Sequence, residues 1–184
     1  VRDGDLPWGA QPGRDPMRDV LLFMPCSATK LPYHDQPRRL YTGPMWQTLR
    51  THLGKFPWRN VIVLSGKYGF LRSQEFIATY NEELTPAKAD YVIGRGLDGV
   101  RDHFGKCSGA ASMRMVFEHD RRGRAYERVI IAGAGDYRRV FEAFTGMLKD
   151  AGMVASDAPV DQVAGGIGEQ RQQLGQWLRD LNCA

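Results

Sequence analysis

The chain has 184 residues, 25 Lys and Arg against 21 Asp and Glu, and a formal charge of +4, which bounds one domain with a single substantial core. No apolar run reaches the roughly 20 residues needed for a helix to span a bilayer, and the first residues lack a signal-peptide core. The cysteines, three in number and widely separated, point to a reduced cytoplasm, so a cytoplasmic protein without a membrane partner is expected. The three cysteines and four histidines lack metal-ligand spacing, so neither a metal nor a cofactor is expected.

In chain order, residues 1–18 are rich in Gly, Pro, Arg and Asp without periodicity and read as an irregular tail; residues 19–184 read as one α/β domain. "DVLLFMPC" (19–26), "NVIVLSG" (60–66) and "RVIIAGAG" (128–135) are continuous apolar runs ending in small residues, the pattern of strands covered on both faces. "LYTGPMWQTLRTHL" (40–53) places Met45, Trp46, Leu49 and Leu53 at helical spacing. "TPAKADYVIGRGLDGVRDHFG" (85–105) reads as one helix or two, with Thr85 as N-cap and Pro86 in the first position. "ASMRMVFEH" (111–119) is compatible with a further strand, followed by a basic turn or hairpin. Residues 136–152 repeat the helical pattern with Gly152 as a stop, and 166–181 form a closing amphipathic helix. Strands alternating with helices predict a central, mostly parallel sheet between helical layers, a three-layer sandwich.

Such sheets bind ligands beyond the carboxyl ends of their strands. Three polar loops fall there: "PCSATKLPYHD", "SGKYGFL" and "GAGDYRR". In the first, Cys26 is either a nucleophile beside Lys30 or a small buried residue at a strand end. Ser27 either donates to a ligand or caps a turn. Tyr33 and His34 follow the stiffening Pro32, and Tyr33 either stacks on a base or lies on the surface. Asp35, the loop's carboxylate, either orients a water or pairs with Arg38 or Arg39. In the second loop Gly66 and Gly69 permit close ligand approach around Lys67 and Tyr68, just after Ser65. Lys67 suits phosphate binding or charge stabilisation, although the phosphate-loop pattern is absent. In the third, Asp136 is expected to cap the helix rather than act in catalysis, and Arg138 replaces the third glycine of a dinucleotide fingerprint.

"ATYNEEL" adds Tyr80 and Asn81, whose amide either reads a base edge or closes a turn. The bare amides around Gly166 and Gly168 either form an anion site at a helix N-terminus or serve as a hinge. Arg121, Arg122, Arg124, Arg128, Arg138 and Arg139 crowd nineteen residues; with Lys30, Arg38 and Arg39 they form either a phosphate-facing surface or a solvated face.

"PCSATK", "LYTGPMWQTLR", "VIVLSGKYGFL", "ATYNEEL" and "GGIGEQRQQLGQWL" together resemble the YaaA-like family of small bacterial and phage proteins, from Val20 to Leu181. Asn81 stands where that family usually has an aspartate. "MPCSATKLPY" is similar to the Pro-Cys-x-x-x-Lys-Pro-Tyr motif of archaeosine synthase, with Leu31 as an insertion, and lacks its later serine and histidine. "KLPYHD" resembles the Gly-Gln-Asp-Pro-Tyr-His segment of uracil-DNA glycosylases, with Leu31 in place of the water-activating aspartate. These resemblances imply a uracil-DNA glycosylase-like fold and a monomer acting on nucleic acid, DNA rather than RNA. They imply excision of a base, with a modified base as the expected target, by N-glycosidic cleavage, and the phage-associated relatives connect that to defence against modified phage DNA. Asp35, Lys30, Lys67 and Cys26 are then the catalytic candidates. Ser27, Tyr33, His34, Ser65, Tyr68, Tyr80, Asn81 and Asp136 would line the base pocket, and Arg38, Arg39, Arg121, Arg122, Arg124, Arg138, Gly166 and Gly168 would hold the nucleic acid. The alternatives are a base-modifying transferase or a non-catalytic DNA-binding module.

Overall fold

Continuous apolar character does produce buried central strands. The computed structural model describes residues 17, 19–105, 112–118 and 124–183. β1 (Val20–Pro25) lies at the centre of a five-stranded sheet and pairs in parallel with β2 (Val61–Ser65), Leu22 opposite Val61. β3 (Gly69–Arg72) turns back antiparallel to β2 and forms one edge. β4 (Arg128–Ile131) pairs in parallel with the other side of β1, and the three-residue β5 (Val160–Gln162) closes the far edge. The strand order is β3-β2-β1-β4-β5, so the sheet is mixed but mostly parallel.

Helices cover both faces, which is why the β1 residues alternate between two cores rather than between core and water. Leu22 and Met24 face α2 (Pro44–His52) and α6 (Ile167–Cys183), packing with Trp46, Leu49, Leu174 and Leu178. Leu21 and Phe23 face α3 (Pro86–Arg95), α4 (Arg114–Glu118) and α5 (Gly135–Asp150). The second core is aromatic: Phe23 stacks on Phe141 with ring centroids 4.8 Å apart, and Phe70 meets Phe144 at 4.5 Å. A four-residue helix, α1 (Pro37–Leu40), precedes α2.

Several expectations are refined. Residues 114–118 are the helix α4, not a strand; Val116 and Phe117 are adjacent and both buried, which a half-covered strand would not allow. The segment beginning at residue 85 is one helix that ends at Arg95, and Thr85 caps it by accepting from the Lys88 amide at 3.3 Å. The stretch 40–53 divides, with Gly43 and Pro44 starting α2. α5 stops before Gly152, whose φ of +69° continues no right-handed helix. Asp136 does not cap α5: the N-cap is Ala134, without a side-chain bond. No helix among the described residues is long and apolar enough to cross a membrane.

Candidate functional site at the carboxyl edge of the sheet

β1 runs on toward β2 while β4 lies on its other side, so the chain diverges between the carboxyl ends of β1 and β4. Divergence at such a point opens a crevice. Cys26 follows β1 directly and its amide donates to the Leu64 carbonyl at 2.9 Å. Tyr137, in the first turn of α5, reaches back across the crevice, its Oη 3.0 Å from the Cys26 Sγ. The pair joins residues 111 positions apart.

Beside it, Ser65 ends β2. Its Oγ donates to the Tyr80 Oη at 2.7 Å and accepts from the Lys67 and Tyr68 amides, each at 3.1 Å. Tyr80 and Tyr41 hydroxyls lie 2.7 Å apart. The Lys30 ammonium sits 4.4 Å from the centre of the Tyr80 ring and 5.9 Å from that of Tyr41. Lys30 is placed by a bridge to Tyr41, and the Trp46 indole donates to the Pro25 carbonyl at 2.9 Å, fixing α2 against the end of β1.

Burial raises the acidities' midpoints of Tyr41, Tyr80 and Tyr137, with Cys26 adding to the effect in all three and Tyr41 also to that on Tyr80. All three phenols keep their protons at neutral pH. They therefore act as hydrogen-bonding groups and not as bases.

The aromatic surface continues outward. Tyr68 meets Tyr80 edge-on at 5.3 Å and His103 at 5.2 Å, and the Lys67 ammonium lies 5.2 Å from the Tyr68 ring. His103 and Phe104 both have positive φ, 49° and 61°. Two successive side-chain-bearing residues in that region are costly and need surrounding contacts to hold them. Burial, then Arg101 and Lys67, lower the His103 midpoint, opposed by Glu75 and Asp102. Gly66 answers to packing: a Cβ there would lie 2.3 Å from the Glu83 carbonyl carbon. Lys88 holds the same crossing by donating to Gly66 and Glu83 carbonyls while pairing with Glu82 at 3.1 Å.

The remaining candidates distribute unevenly. Asp35 exchanges two backbone hydrogen bonds with Ile77, both 3.1 Å, and its Oδ1 accepts from the Gln36 amide at 2.7 Å. Ser27 Oγ accepts from Thr29 and packs against Gly43, where an added Cβ would lie 2.2 Å from it. Tyr33, His34 and Asn81 are exposed. Asp136 pairs with Arg139, which also binds Asp90 and so ties α5 to α3. Arg138 donates to the Gly133 and Val163 carbonyls, and Arg128 pairs with Asp161 at 2.6 Å. Much of that arginine group is thus committed to holding the fold. Arg124 is exposed, and Arg121 and Arg122 lie outside the described residues. At the start of α6 the Gly166 amide is taken by the Glu169 carboxylate at 2.7 Å, so a carboxylate of the chain itself already sits on that helix end; Gly168 is exposed in the first turn.

Tyr41, Tyr137 and His103 belong to the cluster although their local sequence did not single them out. Tyr137 adjoins Asp136 in a loop already assigned to this edge; His103 carries no comparable signal. Among the described residues, no three His, Cys, Asp or Glu side chains gather as metal ligands. A cavity of about 310 Å³ opens at the opposite, amino edge, lined by Asp19, Glu127, Arg128, Asp157 and Asp180 among others.

Fold and site together define an α/β protein with a tyrosine-rich cluster along the carboxyl ends of its central strands, Cys26 and Tyr137 meeting at the topological switch point between β1 and β4. A family model described as "Family of unknown function (DUF6884)" matches residues 21–96, from β1 through α3, which includes Cys26, Lys30, Tyr41, Ser65, Lys67 and Tyr80 but neither His103 nor Tyr137. No curated protein and no solved structure matches the chain.

Proposed function

We propose that the carboxyl-edge crevice holds a single nucleobase of DNA, extruded from its neighbours, and that the protein cleaves its N-glycosidic bond, on a fold of the uracil-DNA glycosylase kind. The observation that carries this reading is the meeting of Cys26 with Tyr137 and of Ser65 with Tyr80 and Tyr41 around the Lys30 ammonium. A flipped base needs ring faces to stack on and polar atoms to meet its edge. Tyr80 and Tyr68 supply the first, and the protonated phenols with Ser65 supply the second. Bond cleavage leaves negative charge on the departing base and positive character on the sugar. Lys30 and Lys67 are suited to the former, and Asp35, on the loop bridged to Ile77, to the latter. The partner is nucleic acid, and the protein acts as a cytoplasmic monomer.

The test is incubation with DNA carrying normal or hypermodified bases, followed by detection of abasic sites. Release that Asp35→Ala abolishes supports the reading; no abasic sites on any substrate ends it.

One observation favours a second reading. Cys26 meets Tyr137 where the ends of β1 and β4 diverge, whereas an Asp35 oxygen is occupied by its own loop. A base-modifying transferase using Cys26 and Lys30 would leave a heavier nucleoside, detected by mass spectrometry, in place of a lost base.

A further inference from the structure

The loop pair that brings Tyr80 into the crevice also carries an aromatic surface on its outer side. Asp35 and Ile77 form an antiparallel bridge. Ile77 points inward and is 7% exposed, so its neighbour Phe76 turns outward. Phe76 is the most exposed large apolar side chain among the described residues, at 68%; Tyr33, two residues before the bridge on the facing loop, is 56% exposed. The loop is not slack there: the Tyr68 hydroxyl donates to the Ala78 carbonyl at 3.3 Å, and Tyr80 is held by Ser65 and Tyr41.

The cations of the molecule differ in what they meet, and several, such as Arg50, Arg138 and Lys149, are taken up by backbone carbonyls. Arg72, Lys88, Arg95, Arg101, Arg114, Arg128 and Arg139 all meet carboxylates. Lys30, Arg38, Arg39 and Lys67 meet none among the described residues: Lys30 and Lys67 lie over tyrosine rings, and the Arg38 Nε donates to the Gln36 amide oxygen at 2.7 Å. Arg38 and Arg39 are on α1, which follows the Tyr33 loop and adjoins the Phe76 segment, the Arg38 amide donating to the Ser73 carbonyl at 3.0 Å. Lys30 precedes Tyr33 at the carboxyl edge, and Lys67 lies in the turn between β2 and β3.

We propose that Phe76 and Tyr33 form a stacking platform for single-stranded DNA, on which bases flanking the one in the crevice lie while Arg38 and Arg39 follow the phosphates. This rests on the nucleobase reading of the crevice and adds to it the form of the substrate. A ring offered to solvent needs an open base face, which an intact duplex keeps stacked internally, whereas every unpaired base presents one. Cations without internal partners favour a polyanion, because no ion pair has to be broken to bind it.

The test is fluorescence anisotropy of a labelled oligothymidine and of the matching duplex with the full chain at several salt concentrations. Tighter binding of the single strand is expected, weakened about tenfold by Phe76→Ala and severalfold by Tyr33→Ala, and retained in Phe76→Trp. Arg38→Gln should lower the salt dependence by about one phosphate contact. Unchanged thermal melting of Phe76→Ala controls for folding. Failure to bind the oligomer, equal affinity for duplex, or an affinity indifferent to Phe76 overturns the proposal. So does concentration-dependent self-association that Phe76→Ala abolishes while oligomer affinity stays constant, since the patch is then a contact between copies. Base release is scored separately: abasic products with Phe76-independent binding remove only the platform, and Phe76-dependent binding without base release removes only the cleavage reading.

Discussion

The Tyr80 hydroxyl lies 2.7 Å from both the Ser65 Oγ and the Tyr41 Oη, and so joins the end of β2 to the loop that opens α2. Tyr41 and Ser65 are fully buried; Tyr80 is the partner of the Tyr41 hydroxyl and the acceptor for the Ser65 proton, while the Ser65 oxygen also accepts from the Lys67 and Tyr68 amides. Tyr80→Phe keeps the ring and removes the link. The expected loss is about 1–3 kcal/mol of stability, read from urea unfolding, with a larger loss of any base-directed activity than Tyr68→Phe produces.

Gly66 and Gly43 are both closely packed, but against different things. A methyl group at Gly66 meets backbone of Glu82, Glu83 and Leu84, which cannot move without displacing the loop held by Lys88. At Gly43 it meets the Ser27 side chain, which can rotate. Gly66→Ala is expected to cost roughly 1–3 kcal/mol or more, and Gly43→Ala clearly less, with the difference visible in thermal melts.

Glu75 joins β3 to the segment before His103 through Arg101, at 2.5 Å, and Arg72, at 3.3 Å. Burial pushes the carboxyl up, but the hydrogen bonds and charges of Arg101 and Arg72 outweigh it and hold Glu75 below the ordinary value of 4.5. A carboxyl depressed in the folded state stabilises above its unfolded value, and that stability is lost as the pH falls through the lower folded one. Glu75→Gln should therefore flatten the acid limb of the stability curve below about pH 4.5 and lower stability at neutral pH by about 1–3 kcal/mol.

His103 should titrate below 6.5 in an NMR experiment, because burial and then Arg101 disfavour its charged form. Arg101→Gln removes a neighbouring cation and should raise the midpoint. The sign for stability follows: protonation of this imidazole costs the folded state, and the cost grows as the pH drops from the ordinary value toward the native one. A midpoint at or above 6.5 would contradict the packing of His103 on Tyr68.

Cys26 is half-buried and hydrogen-bonded to Tyr137, while Cys183 is exposed. Alkylation followed by peptide mapping should label Cys183 before Cys26. Tyr137→Phe should accelerate labelling of Cys26, because the sulfur loses its partner. Equal rates in the parent protein would be inconsistent with the half-buried, hydrogen-bonded state of Cys26.

How much of this was legible in the chain itself follows from the range of the forces involved. The runs that became β1, β2 and β4 were visible because a strand covered on both faces needs apolar side chains at every position. The helices α2, α5 and α6 declared themselves by periodicity, and Thr85 with Pro86 by the chemistry of a helix start. The polar loops of one sheet edge were placed together because parallel strands share a carboxyl end. β3 and β5 are four and three residues long, too short for a local pattern, and exist through their pairing partners. α4 was open to a strand reading until the second core required both Val116 and Phe117. Side-chain placement inside the edge was likewise decided only in three dimensions. Strand order sets which of the tyrosines reaches Cys26, and ion pairing decides which arginines are committed to the fold. Contacts between residues 111 positions apart leave no trace in local spacing, because the sheet, and not the neighbouring sequence, fixes their distance.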